Sequence, residues 1–281
     1  MAIEIKSGET YELDGVTYTA TSNAVLNLDD AGKVSGLASG SVTAVVSGAE
    51  TSPTITFDAT DGAINFAATG DATLDVTLAG RTFKFIEGTA TVLGDNVKTG
   101  AVKFSISGTY SQADYQFTVE DSAEFSITTD AFSITAEKFS VAVSAGSTTL
   151  NFDVSGTAIR NFTNHTFALA EGTTVSTNLG DYTISATAND AAGGGLSFTS
   201  NGVTFSPNEN EGTLGISISR DGTPVFANEI SITGGSVFAD IANNKIGVTE
   251  GTTIKTTIGD YVSTVTTTAD TAITLTKNGF S

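Results

Sequence analysis

Large apolar residues alternate with Ser, Thr or Ala along almost the whole chain, and this alternation is the feature that most constrains the fold. It is clear in residues 102–106 (VKFSI), 115–119 (YQFTV) and 150–154 (LNFDV). A period of two places every second side chain on the same face of a β-strand. β-Branched and aromatic residues dominate these runs, as strands prefer. No stretch has convincing helical spacing, so the sequence predicts an all-β protein.

The same alternation predicts which side chains are inside. Six phenylalanines occupy the inward positions of their runs, and the Ser and Thr residues between them are expected to face outward. The predicted core positions are Phe104, Phe117, Phe125, Phe132, Phe139 and Phe152, and the predicted outward positions are Ser105, Thr118, Ser126 and Ser133.

Gly, Asp and Asn fall between the runs, where turns need them. Three dipeptides predict two-residue hairpins of type I′: residues 14–15 (DG), 201–202 (NG) and 221–222 (DG). The expected cross-strand pairs are Leu13 with Val16 and Tyr11 with Tyr18 for the first turn, Phe198 with Phe205 for the second, and Ile218 with Val225 for the third.

The chain contains an internal repeat. Residues 171–182 (EGTTVSTNLGDY) and 250–261 (EGTTIKTTIGDY) are identical at eight of twelve positions. Weaker copies begin at Gly8 and Gly88, so the glycines that open the copies are 80, 84 and 79 residues apart. No linker separates the copies. We therefore predict one continuous repetitive β body over residues 1–281, with repeats at 8–87, 88–171, 172–250 and, in part, 251–281.

Two topologies fit this pattern. Strand centres recur about every ten residues, a spacing typical of sandwiches, barrels and solenoids. Phe125, Phe132 and Phe139 follow one another at seven-residue steps, as equivalent inward positions do in stacked coils. These features favour an elongated β-solenoid (β-helix). The alternative is a row of antiparallel β-sandwich modules of about 80 residues each.

Two segments carry a family resemblance. Residues 14–20 (DGVTYTA) and 34–43 (VSGLASGSVT) resemble stretches of large repetitive bacterial surface proteins, the β-strand-repeat or adhesin-like proteins. The resemblance covers the general texture of the whole chain. It implies an extracellular, non-catalytic role that is structural or adhesive, and it assigns no functional residue.

Composition excludes several classes of function. With 12 basic and 31 acidic residues the formal charge is −19, so nucleic-acid binding is not expected. No apolar run approaches the length of a transmembrane helix. The start of the chain has no basic region followed by an apolar one, so we expect either another export route or an excised fragment. The absence of cysteine excludes disulfides and thiolate chemistry.

The residues offer little chemistry for a reaction. His165 is the single imidazole, it is expected in a surface turn, and no nucleophile elbow accompanies it. No pair of carboxylates is spaced for a glycosidase. We therefore expect no enzyme and no cofactor. Acidic turns supply a weak signal for calcium, which takes oxygen ligands. The candidate calcium ligands are Asp58, Asp61, Asn208, Glu209 and Asn210.

These observations lead to one expected function and two alternatives. We expect a non-enzymatic structural or adhesive protein of a bacterial surface, such as a stalk, fibre or matrix subunit. Its partners would be further copies or further repeats of itself, with a glycan or host-surface ligand as a further partner, and neither nucleic acid nor a membrane span. The alternatives are a carbohydrate- or calcium-binding β module and a phage tail-fibre or spike segment.

Overall fold

The computed structural model describes most of the chain. The described residues are 1–13, 15–32, 34–46, 54–60, 63–69, 74–78, 81–93, 96–107, 114–127, 131–145, 148–161, 166–199, 202–208, 212–225, 230–258, 260–276 and 279–280. All regular elements among them are β-strands, and every strand pairing is antiparallel, so the all-β prediction is confirmed. The chain divides into two compact units, Met1–Thr129 and Asp130–Ser281.

The first unit contains twelve strands. They are β1 (Ala2–Ile5), β2 (Thr10–Leu13), β3 (Val16–Ala20), β4 (Ala24–Leu28), β5 (Val34–Val46), β6 (Thr54–Thr60), β7 (Ala63–Thr69), β8 (Leu74–Leu78), β9 (Arg81–Leu93), β10 (Asn96–Ser107), β11 (Asp114–Val119) and β12 (Ala123–Ile127). The main run of pairings is β2-β3-β5-β6-β7-β9-β10. The pair β1-β4 joins one half of β5, and β10 ends on β11 and β12.

The second unit contains sixteen strands. They are β13 (Ala131–Ala145), β14 (Thr148–Asn161), β15 (Phe167–Leu169), β16 (Thr174–Leu179), β17 (Tyr182–Ala188), β18 (Gly194–Thr199), β19 (Gly202–Pro207), β20 (Thr213–Arg220), β21 (Thr223–Pro224), β22 (Ile230–Thr233), β23 (Val237–Asp240), β24 (Lys245–Val248), β25 (Thr253–Ile258), β26 (Tyr261–Thr266), β27 (Thr271–Thr276) and β28 (Gly279–Phe280).

Two rows of strands grow from β14, which pairs with β13 along its length. Row I is β14-β16-β17-β20-β22-β25-β26. Row II is β14-β15-β18-β19-β23-β24-β27-β28. The chain alternates between the rows, placing a hairpin in one and then in the other. Apolar side chains from both rows line the same interior, because each row buries one face.

Long strands change partners at glycines whose φ is positive. β14 pairs with β16 before Gly156 and with β15 after it, and Gly156 has φ +114°. Gly40 (φ +84°) divides β5 in the same way between β4 and β3. A side chain at Gly156 would collide with Thr173, just before β16, and one at Gly40 would collide with Asn23 and Ala24 at the start of β4. The point at which each strand changes partners therefore requires glycine, both for the positive φ and for the close approach of the neighbouring segment.

The predicted phenylalanine core is confirmed. All six predicted positions are buried, and Phe104 stacks on Phe117 and Phe125 with ring centroids 5.0 and 5.2 Å apart. Ser105, Thr118, Ser126 and Ser133 are half-exposed, as the alternation requires.

The β-solenoid that the sequence favoured is not what the structure shows. Consecutive strands pair directly as antiparallel hairpins, whereas stacked coils lay strands parallel to the strand one coil away. The seven-residue rhythm has another cause. Phe132 and Phe139 lie on the same strand, β13. In a regular strand a spacing of seven residues would place them on opposite faces. An irregularity in register between Ala136 and Phe139 places both on the inward face.

Two of the three predicted hairpins have the predicted strand pairing, and Asp14 of the first turn lies outside the described residues. β2 and β3 pair Leu13 with Val16. The third turn has φ of +51° at Asp221 and +75° at Gly222, as type I′ requires, and Val225 N–H donates to Ile218 O. The second is wrong by two residues, because Leu196, not Phe198, pairs with Phe205.

Gly202 explains the wrong register. It pairs with Thr199 at the start of β19, and a side chain there would collide with the backbone of Ala239 in β23. Glycine at this position therefore allows a neighbouring strand to approach closely and is not needed for the turn. The approaching strand, β23, is distant in sequence, so the local pattern does not reveal the contact.

Candidate functional site

Matching hairpins follow the glycines of the internal repeat. Gly172 N–H donates to Ala188 O at 2.8 Å in the β16-β17 hairpin, and Gly251 N–H donates to Thr267 O at 2.9 Å in the β25-β26 hairpin. Gly8 makes the same bond to Ala20 O at 2.8 Å in the β2-β3 hairpin. The three glycines have φ of +77°, +82° and +84°, which explains why glycine recurs.

Gly88, the remaining glycine of the sequence repeat, has a different structural role. Gly88 has φ +111° and lies inside strand β9, where a side chain would collide with the backbone of Ala101 and Val102. It is therefore a close-approach glycine in a long strand and does not open a hairpin.

A buried threonine ties each of the two strongest copies to the preceding part of its unit. The hydroxyl of Thr173 accepts from Thr157 N–H at 3.0 Å and donates to Thr157 O at 2.9 Å. The hydroxyl of Thr252 makes the same two bonds with Ser236, at 3.0 and 3.2 Å. Both threonines are fully buried. Sequence reasoning assigned them no role, although both stand at the same position of the repeat.

The two hairpins differ in what covers their second strand. On β17 the inward residues Tyr182, Ile184 and Ala186 are buried, and Tyr182 is only 4% exposed. On β26 the matching residues are Tyr261, Ser263 and Val265; Tyr261 is 83% exposed and Val265 is 57% exposed. Two strands at the same position in their hairpins therefore have opposite burial.

The neighbouring strand accounts for this contrast. β20 pairs along β17, placing Ile218 opposite Ile184 and Arg220 opposite Tyr182. The Arg220 guanidinium lies 5.6 Å from the centroid of the Tyr182 ring and 3.7 Å from Asp181. Among the described residues β26 pairs only with β25, so its other edge and its inward face are uncovered.

An apolar cavity of about 220 Å³ lies beside this uncovered face. It is lined by residues of both rows, among them Ile246, Ile254 and Ile273, and Ile254 is the cross-strand partner of Val265. The matching space one repeat earlier measures about 10 Å³, because larger residues, including Phe167 in place of Ile246, fill it. The interior is therefore less completely filled next to β26.

The first unit carries a second feature, a polar groove of about 510 Å³. One cross-strand register aligns Asp58, Asn65, Thr91 and Lys98 along its floor, on β6, β7, β9 and β10. The Thr91 hydroxyl donates to Asn65 Oδ1 at 2.7 Å. Lys98 Nζ lies 2.7 Å from Glu124 Oε1, and this hydrogen bond, with the charge of Glu124, raises the pKa of Lys98 above its ordinary value.

The structure places two of the five candidate calcium ligands. Asp58 is exposed on strand β6, not in a turn. Asn208 donates from Nδ2 to Ala192 O at 2.9 Å, so its side chain holds neighbouring backbone. Asp61, Glu209, Asn210 and also His165 lie outside the described residues. Within the described part of the chain, no three His, Cys, Asp or Glu side chains form a group that could hold a metal ion.

In the comparison with known proteins, no family model, no curated protein and no solved structure matches the chain. Among the described elements, no helix combines the length and the apolar character needed to cross a bilayer.

Proposed function

We propose that the chain is a repetitive structural or adhesive protein that works outside a bacterial cell as a stalk, fibre or matrix subunit. The observation that carries this proposal is the pair of matching hairpins. The same hairpin is closed by a further strand at β17 and left open at β26, so one building unit can be followed by another of the same kind. The resemblance of residues 14–20 and 34–43 to repetitive bacterial surface proteins supports the extracellular part of this proposal.

Solution scattering of the monomeric chain tests this role. A stalk or fibre subunit should give a radius of gyration well above the value of about 19 Å that compact chains of this length show. A radius close to that value would contradict the proposal. The measurement is made at low protein concentration, so that self-association does not enlarge the particle.

The polar groove supports a second candidate, the carbohydrate-binding module. Its floor offers a carboxylate at Asp58, an amide at Asn65 and a hydroxyl at Thr91, and such groups form hydrogen bonds with sugar hydroxyls. Titration with a panel of neutral and acidic oligosaccharides tests it. Binding that is lost in Asn65→Ala and kept in Asp153→Ala, a change at an exposed residue of the other unit, would favour this function.

A further inference from the structure

We infer that the open edge of β26 binds strand β2 of a second copy of the chain, extending row I from one molecule into the next. This inference rests on the proposed structural role and names the surface that would carry it. It requires that β2 have the correct direction, the correct face and free backbone groups.

The direction follows from the matching hairpins. β2 corresponds to β25, because each follows a glycine that makes the same hydrogen bond to the end of the next strand. β26 runs antiparallel to β25. A β2 strand placed beside β26 in the orientation of β25 therefore runs antiparallel to β26, as every other pairing in row I does.

The backbone groups at the two edges are complementary. Thr267 N–H donates to Thr252 O, so Thr267 and every second residue before it direct their backbone toward β25. The alternate residues, Thr264 among them, present N–H and C=O at the open edge. On β2 the donation from Ala20 N–H to Glu9 O assigns the outer edge to Thr10 and Glu12 by the same rule.

The faces are complementary as well. Tyr11 and Leu13 point to the inner side of β2 and are half-buried, while Thr10 and Glu12 are exposed. Placing Tyr11 opposite Val265 puts Leu13 opposite Ser263 and Glu12 opposite Thr264. This register joins an aromatic to a β-branched residue, a favourable cross-strand pair, beside the apolar cavity. Among the described residues β2 pairs only with β3, so its outer edge is uncovered.

Charge opposes this contact at low salt. The chain carries a net charge of −19, so two copies repel each other as they approach. Screening by salt reduces this repulsion. End-to-end association should therefore strengthen as salt rises, and sedimentation across protein and salt concentration measures it.

Cysteine trapping tests the pairing directly, because the natural chain has no cysteine. Val265→Cys and Tyr11→Cys are prepared as separate single variants, mixed and oxidised mildly. In the inferred register these residues form a non-hydrogen-bonded pair, where side chains approach closely enough for a disulfide. The expected result is a cross-linked heterodimer on a non-reducing gel.

Val265→Cys mixed with Glu12→Cys is the matched control, because these side chains would lie on opposite faces of the joined sheet. Severalfold more heterodimer from the Tyr11 mixture than from the control is the expected outcome. Equal yields from both mixtures, or a chain that sediments as a monomer at high protein and salt concentration, would overturn the inference. Glu12→Cys also removes a charge, so yields are compared at high salt.

Cross-linking and scattering together distinguish a failure of the β26-β2 pairing from a failure of the proposed function. Specific cross-links with a compact particle in scattering would keep the β26-β2 pairing and reject the stalk or fibre role. An extended monomer without specific cross-links would keep that role and reject this pairing.

Discussion

The hydroxyl of Thr173 provides the sharpest test of how the repeat is held together. Thr173→Val keeps the shape of the side chain but removes its two hydrogen bonds to Thr157. Thr157 O keeps a bond from Ala170 N–H at 3.1 Å, whereas Thr157 N–H loses the threonine oxygen. A buried donor without a partner costs about 1–3 kcal/mol. We expect the free energy of unfolding to fall by that amount.

Urea unfolding measures this loss as a lower midpoint with an unchanged slope. Thr183→Val is the matched control. Among the described residues the Thr183 hydroxyl bonds only to Asn178 Oδ1, near the surface, so its loss should cost no more than about 0.5 kcal/mol. Thr173→Ser keeps the hydroxyl and should retain most of the stability. Equal losses in Thr173→Val and Thr183→Val would refute the assigned role of the buried threonine.

Three further predictions follow from packing, backbone angle and charge. Phe132→Ala should cost about 3–5 kcal/mol in urea unfolding because the ring is fully buried, and an unchanged curve would refute the register of β13. Gly156→Ala should cost more than Gly172→Ala; both have positive φ, but only at Gly156 would a Cβ meet another atom, Thr173 Oγ1 at 2.7 Å. Glu124→Gln should return the pKa of Lys98 toward 10.5, and NMR titration measures this change. The stability that this ion pair contributes is present below pH 10.5 and is lost as the pH rises through the higher pKa of Lys98 in the folded state.

Local signals in the sequence predicted the strands, the core phenylalanines and two hairpins. Asp221 and Gly222 set their own turn, because both adopt the positive φ that the dipeptide favours. Gly202 and Gly156 could not be interpreted in this way. Each is required by a strand far away in sequence, Gly202 by β23 and Gly156 by the segment around Thr173. A glycine in an alternating run gives no local sign of which strand will approach it.

Sequence reasoning could predict the open edge of β26 only in part. The repeat showed that Tyr182 and Tyr261 occupy the same position, and a tendency of the chain to continue into further copies was predicted. Which of the two tyrosines is covered depends on the partner of its strand, and β20 reaches β17 across the intervening hairpin of row II. The side of β26 that stays open is therefore a property of the sheet and not of the repeat sequence.

The differences between the two hairpins also indicate how firmly a second copy would be held. The repeat has Ile184 at the centre of the covered strand and Ser263 at the centre of the open one, so β26 exposes less apolar surface than a copy of β17 would. Ser, Thr and acidic neighbours reduce the uncontrolled pairing that an apolar edge would invite. Together with the net charge of −19, this composition favours a reversible, salt-dependent contact over a permanent one. Ser263→Ile, which restores the residue of the covered strand, should therefore strengthen end-to-end association in sedimentation at a fixed salt concentration. The same change at Val262, on the outer face, should have less effect, and a larger effect at Val262 would place the contact on the other face of the strand.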